Sequence, residues 1–289
     1  MSERDVRTPP ARKATGGTTA AARETLRPSG TFASDGLCIH YESYGQGDPI
    51  LLVHGWGSDM THNWIATGWL DALRSERQVI LLDVRGHGRS DRPLHQDAYG
   101  YRAMSRDVLA LMDTFGIRKA DYLGYSMGAF MGAYLLGHHA ERFGAMILGG
   151  IGDETEESIA AARTIAAALR AEDAAQVRDP LGAAYRRFVD QDPRNDATGR
   201  EALALAALQM WPEGFPRELA GPDLAGVRNP VLVVNGERDL PYVLSDRELV
   251  AAIPNARHVR IPGQDHVGAV ADRRFIEAAL GFLRSMRPA

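Results

Sequence analysis

The sequence predicts an α/β fold in which a mostly parallel sheet is covered by helices on both faces. Several apolar runs are continuous, for example Ile-Leu-Leu-Val at 50–53 and Val-Leu-Val-Val at 231–234, and continuous runs are typical of strands buried on both faces. Helical segments alternate with these runs along the chain, as they do in parallel sheets. With 289 residues, the chain is long enough for one large domain with a sizeable core.

Apolar runs with the character of strands recur along the chain. In chain order they are Leu37–Tyr44, Ile50–His54, Val79–Asp83, Asp121–Tyr125, Ala145–Leu148, Val231–Asn235 and Val259–Ile261. We expect the first run to be antiparallel edge structure, because a Gly-containing, hairpin-like segment follows it. The chain before it, residues 1–30, is rich in Ala, Thr, Gly and Arg and is expected to be a disordered N-terminal tail.

The regular alternation stops over residues 151–225, where the sequence is rich in Ala, Glu and Arg and is punctuated by Pro. The helices predicted there are Ser158–Leu169, Leu181–Val189 and Arg200–Met210. Ligands of open α/β sheets bind beyond the carboxyl ends of the strands, so an insertion there would cover the site. We therefore expect a helical cap over 151–225 and a core made of 31–150 and 226–289. A purely structural helical excursion is the alternative.

Composition narrows the class of partner. Charged residues make up 24% of the chain and the net charge is −4, which gives no indication of binding to nucleic acid or to an anionic membrane. No apolar run approaches the roughly 20 residues that span a bilayer, and the first 30 residues lack a signal-peptide stretch. We expect a cytoplasmic protein that acts on a small molecule; its oligomeric state stays open. The single cysteine, Cys38, is expected to be a buried, inert thiol.

The motif Gly-Tyr-Ser-Met-Gly at 124–128 lies between a predicted strand and a helical pattern. A glycine on each side of Ser126 lets the chain turn sharply without a clash of Cβ atoms. The serine then projects from a strand end just before a helix N-terminus, where the dipole and free backbone N–H groups favour a developing oxyanion. This strand–turn–helix context predicts that Ser126 is a nucleophile.

A serine hydroxyl needs a base, and position distinguishes the nine histidines. His266 follows the last predicted strand in a Gly-containing loop, at the same end of the sheet as Ser126, and is the predicted base. The base needs a carboxylate to fix its tautomer. Asp239, which follows the strand at 231–235, is the predicted partner, while Asp153 and Glu237 are the alternatives.

Two backbone N–H groups are predicted to form the oxyanion hole. One belongs to Met127, directly after the nucleophile, and the other to Trp56, in the His-Gly-Trp-Gly segment that ends an early strand. The side chains of Trp56, Tyr125 and Trp211 are candidates to line an apolar substrate pocket, although each could equally be core. No grouping of His, Asp or Glu has convincing metal-ligand spacing, so we expect no metal.

The order Ser126, Asp239, His266, the serine turn, the His-Gly-Trp-Gly segment and the segment Asp83–Ser90 together resemble the α/β-hydrolase superfamily. The resemblance covers residues from about 35 to 289. It implies an eight-stranded, mostly parallel sheet with the cap inserted after strand 6, and acyl-enzyme hydrolysis without a cofactor. It also implies that Arg85 and His87 are positioning residues rather than catalysts.

The resemblance leaves several activities open, because the fold is shared among them. The first hypothesis is a serine hydrolase of the carboxylesterase type that acts on a small apolar carboxylic ester or lactone. Carbon–carbon bond hydrolases and cofactor-free perhydrolases share the same catalytic groups. Epoxide hydrolases and dehalogenases of this fold use Asp at the turn, and Ser126 argues against both. A receptor-like module that binds a small ligand with little turnover is the alternative from another class.

Overall fold

A computed structural model describes residues 28–153, 156–210, 224–239, 243 and 245–286. Within these residues, eight strands form one sheet in the order β1-β2-β4-β3-β5-β6-β7-β8. The strands are β1 Ser29–Ser34, β2 Leu37–Tyr44, β3 Pro49–Val53, β4 Gln78–Leu82, β5 Ala120–Tyr125, β6 Phe143–Gly149, β7 Val231–Gly236 and β8 Ala256–Ile261. The pairs from β4 to β8 are parallel, whereas β2 runs antiparallel to both β1 and β4. The predicted fold class is therefore confirmed.

Helices connect the strands and cover both faces of the sheet. They are α1 Trp69–Leu73, α2 Tyr101–Thr114, α3 Met127–His139, α4 Glu156–Arg170, α5 Pro180–Val189, α6 Ala197–Met210, α7 Arg247–Ala252, α8 His266–Ala271 and α9 Arg273–Ser285. No helix among the described residues is both long and apolar enough to cross a membrane.

The side chains of each central strand divide between two apolar cores. Leu51 and Val53 of β3 belong to the core beneath α2 and α3, whereas Ile50 and Leu52 belong to the core beneath α1 and α9. Successive side chains of a strand point to opposite faces, so a strand covered on both sides needs apolar residues at every position. This requirement explains the continuous apolar runs in the sequence.

The first edge of the sheet differs from the sequence prediction. Strand β1 begins at Ser29, inside the segment expected to be a disordered tail, while residues 1–27 lie outside the described residues. Its sequence, Ser-Gly-Thr-Phe-Ala-Ser, contains one large apolar residue and gave no strand signal. The prediction of a buried thiol at Cys38 is wrong, because Cys38 pairs with Ala33 on the exposed face of this edge while Ile39 points inward.

Between β6 and β7 the chain forms α4, α5 and α6, as the helical pattern predicted. These helices share a small core of their own, to which Ile165, Leu169, Val189 and Leu203 contribute. Helix α5 begins where Asp179 accepts a hydrogen bond from the N–H of residue 182 at 2.8 Å, with a proline as the first helical residue. The end of the segment that was expected to be a cap, residues 211–223, lies outside the described residues.

Candidate active site

Ser126 occupies a strained turn between β5 and α3. Its φ is 50° and its ψ −116°, a conformation that non-glycine residues rarely adopt. A Cβ on Gly124 would lie 2.2 Å from the carbonyl oxygen of Gly128, and one on Gly128 would lie 2.0 Å from that of Val53, so both positions need glycine. The Ser126 N–H donates to the carbonyl of Gly149 at 2.8 Å, which fixes the turn against the end of β6.

His266 and Asp239 contact each other directly. The distance from Nδ1 of the imidazole to Oδ1 of the carboxylate is 2.5 Å, and the side chain of Asp239 is 2% exposed. The second carboxylate oxygen accepts the N–H of Gly236 at 3.1 Å. Because an ionised carboxylate only accepts hydrogen bonds, Nδ1 carries the proton and the lone pair lies on Nε2. The histidine is therefore in the tautomer that a general base requires.

The end of β6 brings the imidazole close to the serine turn. A Cβ on Gly150 would lie 2.9 Å from Cε1 of His266, and the residue before it, Gly149, accepts the Ser126 N–H. Ser126 follows β5, Asp239 follows β7 and His266 follows β8. These strands lie together in the sheet in the order β5-β6-β7-β8, so the three residues lie at the carboxyl ends of neighbouring parallel strands. This is the edge at which parallel α/β sheets bind ligands.

The alternative carboxylates are engaged elsewhere. Asp153 accepts the N–H groups of Glu248, at 3.3 Å, and Leu249, at 2.8 Å, in the first turn of α7. Glu237 accepts the N–H of Gly263 at 2.7 Å. Both therefore stabilise local backbone, whereas the carboxylate of Asp239 is the one found against the imidazole.

The two predicted oxyanion donors lie beside the serine. A Cβ on Gly55 would lie 3.3 Å from the Cβ of Ser126, so the loop after β3 passes directly alongside the nucleophile. Met127 is the first residue of α3, and the first N–H groups of a helix have no intrahelical acceptor. Within the described part of the chain, neither the Trp56 N–H nor the Met127 N–H donates to a protein acceptor. Both are free to bind an anionic oxygen.

His54, the first residue of the His-Gly-Trp-Gly segment, orients one of these donors. Its Nδ1–H donates to the carbonyl of Gly55 at 2.8 Å, and its Nε2 accepts the N–H of Val84 at 3.0 Å. The carbonyl of Gly55 and the N–H of Trp56 belong to one planar trans peptide, so holding the carbonyl points the N–H the opposite way. Burial lowers the pKa of His54, which keeps the imidazole neutral.

The aromatic candidates for the substrate pocket have different surroundings. The Trp56 indole N–H donates to the carbonyl of Leu203 in α6 at 3.0 Å, and its ring packs edge-on against Tyr185 in α5. Trp56 thus joins the loop after β3 to the helices between β6 and β7. Trp211 lies outside the described residues.

Tyr125 is buried beside the candidate base, with its ring centroid 5.3 Å from that of His266. Its ring packs in the core against Phe275 of α9, and its hydroxyl donates to the carbonyl of His266. The alternation of side chains along β5 turns this residue to the face that α9 covers. Tyr125 supports the backbone that carries the imidazole, and its role as a pocket residue stays a prediction.

The segment 83–90 holds the loops around the site in place. Asp83 accepts the N–H groups of Met60 and Arg89, each at 2.9 Å. Arg85 makes a two-pronged pair with the fully buried Asp107 of α2, at 2.8 and 2.5 Å. Burial, and after it the neighbouring His54, lower the pKa of His87 to about 3. A neutral, buried imidazole has no path to substrate protons, which agrees with a positioning role.

An open groove of about 870 Å³ lies at the opposite end of the sheet, where Pro49, Ala120 and Pro230 mark the starts of parallel strands. Lys119 and Arg228 add positive charge to its lining. Because ligands of parallel sheets bind at the carboxyl ends of strands, this groove is separate from the serine site.

Comparison with known proteins gives the family. The sequence profile of the family described as "alpha/beta hydrolase fold" matches residues 48–270, which is most of the chain. The chain belongs to the α/β hydrolase fold family. The match extends from the start of β3 to α8 and includes the serine turn, Asp239 and His266.

Relatives that cover most of this α/β hydrolase have different names. A Mycobacterium tuberculosis protein named as the non-heme bromoperoxidase BpoC is 26% identical over 80% of this chain and 91% of its own. The 3-oxoadipate enol-lactonase 2 of Acinetobacter baylyi is 24% identical over 76% of this chain and 83% of its own. The crystal structure of the enol-lactonase from Burkholderia xenovorans LB400 superposes with a TM-score of 0.67 at 26% identity, covering 88% of this chain and 99% of that one.

Other relatives share a shorter segment with this α/β hydrolase. The acetyltransferase component of an acetoin cleaving system from Pseudomonas putida is 38% identical over 102 residues, which are 26% of its length. Mouse epoxide hydrolase 4 is 34% identical over 98 residues, again 26% of its length. The chain spans about a quarter of these two proteins, so they indicate a common segment rather than a common activity.

Proposed function

We propose that this α/β hydrolase is a serine hydrolase that cleaves a small apolar carboxylic ester or lactone through an acyl-enzyme intermediate. The observation that carries the proposal is the contact of 2.5 Å between His266 and the buried Asp239, next to the strained turn of Ser126. A nucleophile, a base in the correct tautomer and a carboxylate that stabilises the imidazolium are the groups that acyl transfer requires.

In the acylation step, Ser126 Oγ attacks the carbonyl carbon and His266 Nε2 accepts the hydroxyl proton. The carbonyl oxygen becomes an oxyanion and accepts hydrogen bonds from the N–H groups of Trp56 and Met127. Asp239 stabilises the imidazolium through its contact with Nδ1. The imidazolium then protonates the departing oxygen, so that an alcohol leaves, or a lactone ring opens while its acyl end stays on the serine.

Deacylation repeats these steps with water as the nucleophile. His266 Nε2 accepts a proton from the water, whose oxygen attacks the acyl carbon, and the same two N–H groups stabilise the second oxyanion. Ser126 leaves with the proton that the imidazolium returns. The products are a carboxylic acid and the free enzyme, and no cofactor enters the balance.

Support for the substrate class comes from the names of relatives and from the apolar surroundings of the loop after β3. Two full-length relatives are named as enol-lactonases, whose substrate is an enol ester closed into a ring. The exposed Phe188 of α5 approaches within 3.0 Å of where a Cβ of Gly57 would be. Helix α5 therefore places an exposed aromatic side chain against the loop after β3, which would add apolar surface near the site.

A series of p-nitrophenyl esters from acetate to palmitate, together with small aliphatic lactones, tests the proposal. We expect turnover that peaks at a short acyl chain or with a lactone and that is lost in Ser126→Ala. Ser285→Ala, at the exposed end of α9, is the matched control and should keep wild-type rates. Substantial hydrolysis by Ser126→Ala would contradict the assignment of the nucleophile.

The bromoperoxidase name of one full-length relative favours a perhydrolase as a second candidate. In that reaction hydrogen peroxide replaces water in deacylation, and a peracid forms instead of the carboxylic acid. The same serine, imidazole and oxyanion donors serve both reactions. Adding peroxide to an enzyme–ester mixture distinguishes them, because peracid appears at the expense of acid only if peroxide competes with water for the acyl-enzyme.

A further inference from the structure

Asn63 is a buried polar residue close to Gly55, which lies beside Ser126. It lies in the short helical turn Thr61–Ile65 after β3, and its side chain accepts the N–H of Gly55 at 2.9 Å through Oδ1. Only 6% of the residue is exposed. The turn itself is firmly held, since the N–H of Asn63 donates to the carbonyl of Asp59 at 3.0 Å and the N–H of Met60 to the buried Asp83 at 2.9 Å.

The amide of Asn63 lies on the side of Gly55 that faces the nucleophile. A Cβ built on Gly55 would lie 3.6 Å from Asn63 Oδ1 and 3.3 Å from the Cβ of Ser126. The side of Gly55 on which a Cβ would stand is thus in van der Waals range of both the Asn63 amide and Ser126. A change in the position of this amide is transmitted directly to the backbone next to Ser126.

The orientation of the amide is fixed by its chemistry. The Gly55 N–H can only donate, so the atom that faces it is the oxygen. The NH₂ group of Asn63 is then buried without an acceptor in the described part of the chain. A buried, unpaired donor lowers the stability of a protein. Stability alone therefore does not account for an asparagine here, and its accepting oxygen is what the site uses.

Gly55 joins two peptide units, and each is held by a different side chain. Asn63 binds the N–H of the first unit, while His54 binds the carbonyl of the second unit, which also carries the N–H of Trp56. Glycine has more rotational freedom about its backbone bonds than any other residue. Holding one unit alone leaves the other free to rotate, so both contacts are needed to fix the direction of the Trp56 N–H.

We propose that Asn63 is a positioning residue of the oxyanion hole, a role that rests on the proposed acyl-transfer function. By holding the Gly55 N–H, Asn63 keeps the Trp56 N–H aimed at the carbonyl oxygen of a substrate attacked by Ser126. The hydrogen bond from the Trp56 N–H strengthens as negative charge develops on the carbonyl oxygen. Its correct aim therefore stabilises the transition state more than the bound substrate.

Substitutions of Asn63 test the proposal by steady-state kinetics on the preferred ester. In Asn63→Leu the Gly55 N–H loses its acceptor, and we expect kcat to fall by about 10- to 100-fold, up to the effect of losing one oxyanion donor, with KM unchanged. Asn63→Ala leaves room for a water that can accept the same N–H, so its kcat should lie between those of Asn63→Leu and the wild type. Asn63→Ala also provides the test if the leucine variant does not fold.

The matched control is Asn195→Leu. Asn195 is also buried, and its amide donates to the carbonyl of Val189 at 3.0 Å, between α5 and α6. This variant should lower the melting temperature without changing kcat. A role of Asn63 confined to folding predicts the same behaviour for Asn63→Leu and would overturn the proposal.

A second readout uses two inhibitors with the same chain. A trifluoromethyl ketone adds to Ser126 and forms an oxyanion, whereas the matching trifluoromethyl alcohol is uncharged and cannot add to the serine. We expect the Asn63 variants to lower the affinity for the ketone in parallel with the fall in kcat, and to leave the affinity for the alcohol unchanged. An equal loss for both inhibitors, or no loss for either, would overturn the role of Asn63 while the wild type remains an active serine hydrolase. A wild type that neither turns over esters nor binds the ketone would instead overturn the proposed function and this role with it.

Discussion

Ser126 combines a reactive position with an unfavourable backbone conformation. Its φ of 50° belongs to a region where the Cβ crowds the main chain, and such strain is of order 1–3 kcal/mol. The surrounding contacts hold it there, including the bond from its N–H to Gly149 at 2.8 Å and the tight passage of Gly128 under Val53. The strained turn lowers the stability of the fold, but it places a hydroxyl at the end of β5, in front of the N-terminus of α3.

Relief of this strain is measurable in unfolding experiments. We expect Ser126→Gly to be more stable than Ser126→Ala by about 1 kcal/mol, because glycine adopts a positive φ without a Cβ clash. Both variants remove the hydroxyl, so their comparison isolates the backbone. Urea unfolding at one pH measures the difference, and an alanine variant as stable as the glycine variant would show that the turn is not strained.

Asp239 and Asp153 form a natural pair for testing which carboxylate acts on the imidazole. In Asp239→Asn the amide can present its NH₂ to Nδ1, which favours the wrong tautomer of His266, and kcat should fall by roughly 10³- to 10⁴-fold. Asp153→Asn should weaken the start of α7 but keep kcat within about threefold, since its partners are backbone N–H groups. Equal losses in the two variants would contradict the assignment of Asp239.

At the scale of elements, the loop after β3 is bound to the helices that follow β6. Trp56 donates to Leu203 in α6, and the buried Asp59 pairs with Arg194, which lies between α5 and α6. Burial raises the pKa of Asp59, but hydrogen bonds from the His62 backbone and from Arg194 outweigh it and hold the pKa at about 2. The loop that carries the proposed oxyanion donor of Trp56 is thus coupled to α5 and α6 by an ion pair and by an indole.

Removal of one partner of this ion pair should loosen the helices. Arg194→Met leaves the carboxylate of Asp59, whose side chain is 4% exposed, without its cation, and we expect a loss of about 2–3 kcal/mol in unfolding free energy. The matched control is Arg170→Met, because Arg170 pairs with Glu201 within the same helices but both side chains are over a third exposed. That exposed pair should contribute less than about 1 kcal/mol.

Limited proteolysis and thermal unfolding measure both arginine variants. Faster cleavage between α4 and α6 in Arg194→Met, but not in Arg170→Met, would support a coupling between the helices and the loop. Equal sensitivity of the two variants would mean that the Asp59–Arg194 pair does not hold these elements together.

At the scale of the whole molecule, two buried histidines make stability depend on pH. Burial lowers the pKa of His54 and, with the help of His54, lowers that of His87 to about 3, whereas an unfolded histidine titrates near 6.5. For His87, the unfolded state therefore binds more protons than the folded state between about pH 6.5 and 3. The stability from its neutral imidazole is fully present above about pH 6.5 and is lost as the pH falls towards 3, and the lowered pKa of His54 acts in the same direction.

Titration of His87 should lower the unfolding free energy by about 1.4 kcal/mol per pH unit as the pH falls from 6 to 4. His87→Gln removes one titrating group, so its slope should be smaller than that of the wild type by this amount. His138→Gln, at the exposed end of α3, is the control. Urea unfolding at several pH values gives the slopes, and an unchanged slope for His87→Gln would contradict the account of this imidazole.

The fold and the positions of the candidate site residues were predictable because their signals are local, while the roles of these residues stay predictions. Continuous apolar runs indicated the parallel strands, and strand ends indicated where Ser126, Asp239 and His266 would lie. Strand β1 gave no signal, since its single large apolar residue, Phe32, gains its burial from pairing with β2 and packing on Phe115. Strand β1 therefore depends on hydrogen bonds and packing from the rest of the sheet, which its own sequence does not reveal.

Residues that act through distant contacts could not be identified from their neighbours in sequence. The roles of Asn63 and Tyr125 depend on bonds to Gly55 and to the His266 carbonyl, which the fold brings together from separate elements. The indole of Trp56 likewise binds a carbonyl 147 residues away. Periodicity and motif spacing carry no information about such pairs.

The central claim is that Ser126 is the nucleophile, and a fluorophosphonate probe tests it most directly. The reagent transfers its phosphonyl group only to a serine activated by a base and flanked by oxyanion donors. We predict that mass spectrometry of the folded protein finds one adduct, on the peptide that contains Ser126, and that urea-unfolded protein and Asp239→Asn are labelled far more slowly. No adduct on the folded wild type, or an adduct that persists in Ser126→Ala, would contradict the account.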